Sequence, residues 1–144
     1  MLFDIYIIFY DLEGNLAEEK VSALLLNDGN YMVKDIPLFT PNLALDDIIA
    51  VETDEKLYFD KLVSSSGNST INIVFFDEKI DIIVQKIRNM GGEIRYWNNK
   101  YISINIPANI SYYPIKNFLN HLEENHCLSY REACLANNSL HEIH

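Results

Sequence analysis

Residues Thr70–Phe76, with the sequence TINIVFF, and the segment that follows them decide the fold class. The stretch is apolar apart from Asn72, which is typical of a buried strand. Asp77 and Glu78 open a predicted helix, because acidic side chains are favoured near a helix N-terminus. Gly91 and Gly92 end this helix, and its apolar residues fall at helical spacing: Ile80, Ile83, Val84 and Ile87. A strand followed by an amphipathic helix predicts a mixed α and β domain.

The residues after Gly92 extend this unit. Glu93–Trp97 and Tyr101–Ile106 predict a hairpin, with Ile102, Ile104 and Ile106 on the buried face and Tyr101, Ser103 and Asn105 on the opposite face. A second helix is expected from near Pro114 to His126, and a last short helix over Tyr130–Ala136. The order β-α-β-β-α resembles a split β-α-β unit, or a truncated ferredoxin-like unit.

The residues before Thr70 read as short strands separated by polar turns. The predicted strands are Leu2–Tyr10, Val21–Leu26, Tyr31–Asp35, Ile48–Glu52 and Leu57–Val63. Such a series predicts a small antiparallel sheet or a partly open barrel. We find no linker-like segment, so we expect a single α+β domain over residues 1–144. In that domain a β-rich acidic half (1–69) and an α+β half (70–144) share one core.

Composition excludes several classes of protein. The chain has 144 residues, and 49% of them are hydrophobic, which suits an ordinary globular domain. No apolar run is long enough to span a membrane, and the N-terminus lacks the basic region of a signal peptide. The net charge of −10 argues against nucleic acid as a partner, since phosphate binding needs clustered lysine and arginine. We therefore expect a cytoplasmic protein without a membrane partner.

The charge is unevenly distributed along the chain. Residues 1–70 hold 13 acidic residues and 4 lysines, a net charge of −9, whereas residues 71–144 have a net charge of −1. Such asymmetry concerns partners more than fold. It predicts a surface for a basic protein partner, and the candidate residues are Asp46, Asp47, Glu52, Asp54, Glu55 and Asp60.

Other constellations carry weaker signals. Cys127, Cys134, His141 and His144 have the ligand types of a zinc site, but their spacing C-x6-C-x6-H-x2-H matches none of the usual patterns. We expect no metal and no cofactor. Ser66, Gly67, Ser69 and Thr70 could hold an anion with hydroxyl and backbone N–H groups, although a tight turn between strands is the simpler interpretation. No nucleophile and base converge, so we expect no enzyme.

Four segments together resemble a known family. They are Tyr31–Phe39, Leu43–Glu52, Ser66–Thr70 and Leu128–Leu135. Their order and spacing are similar to an uncharacterised bacterial domain-of-unknown-function family, number four-two-six-five. That family usually has glycine where this chain has Asp46. The resemblance implies one compact domain in a bacterial cytoplasm and carries over no catalytic residues.

Two functions from different classes follow. The small, acidic α+β character is similar to that of immunity proteins in bacterial toxin systems. A nuclease toxin must present positive charge, and its inhibitor gains encounter rate and selectivity from the opposite charge. The alternative is a small-molecule or nucleotide-binding domain that uses the cleft between the halves, through Ser65–Thr70. The sequence leaves the oligomeric state open.

Overall fold

The computed structural model describes residues 1–77 and 79–142 and has two units, a five-stranded closed barrel and a four-stranded sheet backed by two helices. The α+β class predicted from the sequence is confirmed. No helix in these described residues combines the length and the apolar character needed to cross a membrane.

The barrel is built from the first five strands. They are β1 (Leu2–Tyr10), β2 (Leu16–Leu25), β3 (Tyr31–Val33), β4 (Ile48–Asp54) and β5 (Lys56–Ser64). Neighbours along the chain pair antiparallel, and β1 closes the barrel by pairing with β5 in parallel, with Ile5 opposite Leu57. Alternation along β1 places Ile5 and Ile7 inside. The predicted barrel is thus closed rather than partly open.

The second unit continues the chain with a sheet and two helices. Its elements are β6 (Ser69–Phe75), α1 (Ile80–Asn89), β7 (Glu93–Tyr96), β8 (Tyr101–Ile106), α2 (Tyr113–Glu124) and β9 (Leu128–Cys134). The antiparallel sheet has the strand order β7-β8-β6-β9. Its apolar face, which includes Ile71, Ile73, Ile102 and Ile104, packs against buried side chains of both helices.

The predicted last helix over Tyr130–Ala136 is wrong, because this segment belongs to strand β9. β9 pairs antiparallel with β6, with Tyr130 opposite Ile73 and Arg131 opposite Asn72. Leu128 and Tyr130 pack with the helices, whereas Arg131 contacts the other face of the sheet. The pairing partner lies some sixty residues away, so a local pattern gave no sign of it. The unit therefore ends in a strand rather than a helix.

The expectation of one shared core is also wrong for the described residues, because the buried apolar side chains form two clusters. One fills the barrel and the other lies between the sheet and its helices. The second face of the sheet is polar, and Asn72, Ser103 and Asn105 on it are buried. This polar face meets the barrel through the segment between β3 and β4, so a polar layer separates the two clusters.

Residues 36–43, which we call the linker loop, fill this layer. The Glu19 carboxylate of the barrel accepts hydrogen bonds from the backbone N–H groups of Leu38 (2.7 Å), Phe39 (3.0 Å) and Thr40 (2.9 Å), and from the Thr40 hydroxyl (2.8 Å). Glu19 is 6% exposed. A buried carboxylate is tolerated when its oxygens are saturated by donors in this way.

The sheet provides hydrogen-bond donors for the carbonyl groups of the linker loop. Side chains of its polar face donate to five loop carbonyl groups, of which the first four are successive. The pairs are Arg95 with Ile36, Ser103 with Pro37, Tyr101 with Leu38, Arg131 with Phe39, and Thr70 with Leu43. Burial raises the pKa of Tyr101 to about 12, so its hydroxyl stays a donor at physiological pH. Three consecutive N–H groups of the loop thus bond to the barrel. Its carbonyl groups bond to the sheet, as does the N–H group of Asn42, which donates to the Ala133 carbonyl of β9 (2.8 Å).

We predict that Glu19→Ala lowers the free energy of unfolding by about 3 kcal/mol or more, because it strands three buried N–H groups without an acceptor. The matched control is Glu18→Ala, since Glu18 is the exposed neighbour on the same strand. Its effect should stay within about 0.5 kcal/mol. Urea denaturation of both variants measures the difference. Equal stabilities would contradict the role assigned to Glu19.

Candidate functional site

The six acidic residues predicted to bind a partner divide into three groups, and Asp47 forms the first. Asp47 is 1% exposed, so its carboxylate is buried and does not form part of the surface. Its carboxylate accepts hydrogen bonds from the N–H groups of Ala44 (2.9 Å) and Ser66 (2.8 Å) and from the Ser66 hydroxyl (3.0 Å). Burial raises the pKa of Asp47, and these hydrogen bonds oppose that shift. Asp47 therefore joins the loop before β4 to the segment that enters β6.

Asp46 forms the second group. Its backbone lies in the left-handed region (φ 67°), which aspartate tolerates better than most residues. Its Oδ1 atom lies 2.6 Å from the Lys34 ammonium group, so its charge is locally compensated. It precedes β4, whereas the remaining acids lie toward the opposite end of that strand.

Glu52, Asp54, Glu55 and Asp60 form the third group, and all four are exposed on the β4–β5 hairpin. Glu52 and Asp54 line a surface groove of about 410 Å³, which we call the acidic groove. The other lining residues are Ile8, Tyr58 and Phe59. Because β1, β5 and β4 are neighbours in the barrel, their side chains meet on one outer wall.

Aromatic and aliphatic surface surrounds the two carboxylates of the groove. Ile8 is 56% exposed, which leaves an aliphatic side chain open to solvent beside them. The Tyr58 ring lies 6.1 Å from the ring of Tyr6, and the Lys56 ammonium group lies 4.5 Å from the Tyr6 ring centre. The wall therefore already holds one cation against an aromatic face, a favourable contact in its own right.

Glu55 occupies the tip of the hairpin in a strained backbone conformation. Its φ of 63° lies in the left-handed region, which costs a residue with a Cβ atom roughly 1–2 kcal/mol. Asp54 and Lys56 pair directly on either side, so the tight reversal imposes this conformation. Strain at an exposed tip is a feature that a functional role would explain.

The four residues considered as an alternative anion-binding segment, with a tight turn as the simpler interpretation, make their contacts within the protein. The hydroxyl of Ser66 donates to the Leu45 carbonyl (2.7 Å), and that of Thr70 donates to the Leu43 carbonyl (3.0 Å). Ser69 accepts from the Ala136 N–H group (2.8 Å) and contacts His141 Nδ1 (2.6 Å). Gly67 has a φ of 85°, and a Cβ atom there would lie 3.1 Å from the side chain of Ala108. This geometry is that of a tight connection between β5 and β6.

The structure describes three of the four residues that have zinc-ligand chemistry, and it does not bring them together as metal ligands. His141 is buried, with Nδ1 on Ser69 and Nε2 near the carbonyl groups of Pro107 (2.9 Å) and Ile110 (3.1 Å). Cys127 and Cys134 are free thiols at the two ends of β9, and burial raises the pKa of Cys134 to about 11. His144 lies outside the described residues. Across residues 1–77 and 79–142, no three His, Cys, Asp or Glu side chains cluster as metal ligands.

Comparison with known families adds to this geometry. The model of a family described as "Domain of unknown function (DUF4265)" matches residues 19–130, most of the barrel and of the sheet unit. The chain belongs to the DUF4265 family. The resemblance inferred from four sequence segments is thereby confirmed. The matched range contains Glu19, the whole linker loop and the β4–β5 hairpin.

A solved structure shares the fold of this DUF4265 protein. It is described as a "Novel crystal structure of a hypothetical protein from Neisseria gonorrhoeae" and is 44% identical in sequence. The match covers 96% of this chain and 98% of that chain, with a TM-score of 0.89. No curated protein matches the chain. The likeness therefore covers both units of the DUF4265 protein and concerns its fold.

Reasoning from the sequence missed several residues that shape the site. Ile8 and Tyr58 were interpreted only as strand residues, and their outward position follows from the alternation that buries Ile5 and Ile7. Glu19 and Arg131 gave no local signal, because their partners in the linker loop are distant in sequence. The alternation of isoleucine with Ser103 and Asn105 was recognised, but the polar face was not expected to be covered.

The raised pKa of Asp47 predicts a pH dependence of stability. When the folded-state pKa lies above the unfolded value, ionisation costs more in the folded state. The stability contribution of Asp47 is then fully present below the unfolded pKa of 3.8 and is lost as pH rises through the folded pKa.

We test this with Asp47→Asn, which lacks the titrating group. The free energy of unfolding of the wild type minus that of the variant should fall as pH rises from 3.8 through the folded pKa. Urea denaturation at a series of pH values measures the difference. An increase over that range would show that the hydrogen bonds from Ala44 and Ser66 outweigh burial.

Proposed function

We propose that this DUF4265 protein is a non-enzymatic binding protein, an immunity protein that neutralises a basic bacterial toxin of nuclease type in the cytoplasm. The observation that carries the proposal is the acidic groove, where Glu52 and Asp54 lie beside the exposed side chain of Ile8 and two half-buried aromatic rings. Such a surface has the chemistry to take lysine and arginine side chains of a partner.

The groove suits the two ends of a basic side chain. The hydrocarbon stem of lysine or arginine packs on apolar surface such as Ile8, while its charged end requires an anion. Glu52 and Asp54 supply carboxylates at the same groove, and Tyr58 adds an aromatic ring. Arginine and tyrosine are common among the residues that dominate binding energy in protein interfaces. The groove is therefore a candidate centre for the contact.

The charge of the barrel supports a basic partner over longer distances. Of its 13 acidic residues, Glu19 and Asp47 are buried, and the others lie at the surface with only four lysines. An excess of one sign on one unit speeds association with an oppositely charged protein and disfavours acidic partners. A nuclease toxin carries positive charge where it binds phosphate groups, so an acidic surface is suited to cover that region.

The strain at Glu55 supports the same surface. A glycine at this tip would relieve the left-handed conformation, yet the chain has a carboxylate there. A negative charge presented beyond the groove would account for a residue that backbone geometry alone disfavours.

We also interpret the second unit as a ferredoxin-like unit that serves as the scaffold for the barrel. Its element order β-α-β-β-α-β and its antiparallel strand order support this interpretation. In this arrangement the helices cover the sheet face that points away from the barrel, and the acidic groove faces solvent on the barrel wall.

We predict that the double variant Glu52→Lys with Asp54→Lys weakens partner binding at least about tenfold, because it reverses the charge at the centre of the contact. The matched control is Asp81→Lys with Glu124→Lys, which makes the same charge change at exposed helix positions of the other unit. The tagged proteins are used to capture partners from a lysate of the bacterium that encodes the chain, at low and at moderate salt.

The proposal requires one stoichiometric basic protein, weakened by salt, captured by the wild type and the control and lost by the groove variant. Expression of that protein alone should stop cell growth, and the wild type should restore growth where the groove variant does not. Equal capture by both double variants, or a captured protein without toxicity, contradicts the proposal.

A separate prediction concerns the tip of the hairpin. Glu55→Gly should raise the free energy of unfolding by up to about 1 kcal/mol, since it removes left-handed strain against a smaller entropic cost. The same variant should bind the captured partner more weakly, because it loses a carboxylate. Thermal denaturation and binding measurements are made side by side. A gain in both stability and affinity would remove Glu55 from the binding surface.

A further inference from the structure

A second cavity lies between the two units, away from the acidic groove. It has a volume of about 230 Å³ and opens where the β1–β2 turn of the barrel approaches the polar face of the sheet. Phe9, Asp11 and Leu12 line it from the barrel, and Asn72, Val74 and Arg131 from the sheet. We call it the inter-unit cavity. A concave site between two units is a common location for a small ligand.

Its walls are mainly apolar. Phe39 of the linker loop stacks on Tyr101 with the ring centres 5.1 Å apart, and both line the cavity together with Phe9, Leu12 and Val74. The hydroxyl of Tyr101 donates to the Leu38 carbonyl, so it is already engaged in the loop. Val74 is 40% exposed although its strand β6 has a neighbouring strand on both sides. A compact apolar group would cover this surface.

The cavity also contains one fixed cation. Arg131 donates from Nε to Asn72 Oδ1 (2.8 Å) and from Nη2 to the Phe39 carbonyl (2.6 Å), which holds the guanidinium plane in place. Its Nη1 atom makes no hydrogen bond to the residues that the structure describes. Ser129, two residues earlier on β9, also lines the cavity and brings a hydroxyl group. The contacts with Asn72 and the linker loop thus fix the Arg131 guanidinium group and leave N–H groups of Nη1 to donate to a ligand.

We propose that the inter-unit cavity binds a small monocarboxylate with a compact apolar body. The carboxylate meets Nη1 of Arg131, with the Ser129 hydroxyl as a further donor, and the apolar body lies against Phe39, Tyr101 and Val74. This proposal is independent of the immunity function, since it uses neither the acidic groove nor a protein partner.

The charges of the lining residues favour a single negative charge on the ligand. Arg131 is the one cation among the lining residues, and Asp11 stands at the barrel side of the opening. The Asp11 Oδ1 atom accepts hydrogen bonds from the N–H groups of Glu13 (3.0 Å) and Asn15 (2.9 Å). These contacts hold the Asp11 carboxylate at the barrel side of the cavity. The Asp11 carboxylate repels a phosphate dianion more strongly than a monoanion, and the charge of a monocarboxylate is matched by the one guanidinium group.

The test uses phenylacetate and its neutral analogue phenylacetamide as probes. Each is titrated into the ¹⁵N-labelled full chain, and amide chemical shifts are followed by NMR. Phenylacetate should give saturable shifts at Val74, Ser129 and Arg131, with a Kd in the millimolar range or below, as expected for about ten heavy atoms. Phenylacetamide, which lacks the charge, should bind at least about tenfold more weakly.

Two variants separate the cavity from other surfaces. Val74→Phe places a ring in the cavity and leaves Arg131 untouched, so it should abolish the phenylacetate shifts. Val63→Phe makes the same change at a half-exposed strand position of the barrel and should leave phenylacetate binding unchanged. Retained shift dispersion shows that both variants are folded. Equal affinity for the two probes, saturable shifts that survive Val74→Phe, or the absence of saturable shifts in the wild type overturns the proposal.

Discussion

The saturated carboxylate of Glu19 is the interaction on which the two-unit structure depends. The linker loop lies in a buried layer, and buried backbone groups must find hydrogen-bond partners. Glu19 receives three consecutive N–H groups and one hydroxyl, while side chains of the sheet take the loop carbonyl groups. Neither unit alone provides both sets of partners. The loop therefore adopts this conformation only when barrel and sheet are docked.

This constraint positions both candidate binding sites. Phe39, held by Glu19 through its N–H group and by Arg131 through its carbonyl group, forms part of the inter-unit cavity. The same docking leaves the β1, β4 and β5 wall of the barrel free, because the sheet contacts the barrel through the linker loop. The acidic groove on that wall stays open to solvent, as the proposed contact with a protein partner requires. The proposed contact with a protein, at the acidic groove, and the proposed binding of a small carboxylate, in the inter-unit cavity, would use separate parts of the structure.

Most helices and strands could be predicted from the sequence, because each is marked by a pattern within its own segment. Alternation marked β8, helical spacing marked α1 and α2, and polar turns separated the barrel strands. Closure of the barrel depends on the parallel pairing of Ile5 with Leu57, a contact between distant segments that no local pattern encodes. For strand β9 the alternation of Leu128 and Tyr130 with polar residues is a local signal for a strand, and only its pairing with the distant β6 is not encoded locally.

The site was harder to predict because acidic residues that are adjacent in the sequence differ in their burial. Glu18 is exposed and Glu19 is buried, and Asp46 pairs with Lys34 at the surface while Asp47 is enclosed. Net charge alone treats all four as equivalent. Only the tertiary structure shows which carboxylates satisfy buried N–H groups and which remain exposed to solvent. The uneven charge predicted an acidic unit, and the fold reduced the candidate surface to one hairpin and its groove.

Native-state hydrogen exchange of the linker loop amides tests the central claim most directly. If Glu19 fixes the loop between the units, the amides of Leu38, Phe39 and Thr40 should exchange with the same opening free energy as the Ile71 and Ile73 amides of strand β6. Both sets would then report the same cooperative unfolding. Exchange of the loop amides about a hundredfold faster than that of the β6 amides would contradict the claim, because it would show that the loop opens while the sheet stays folded.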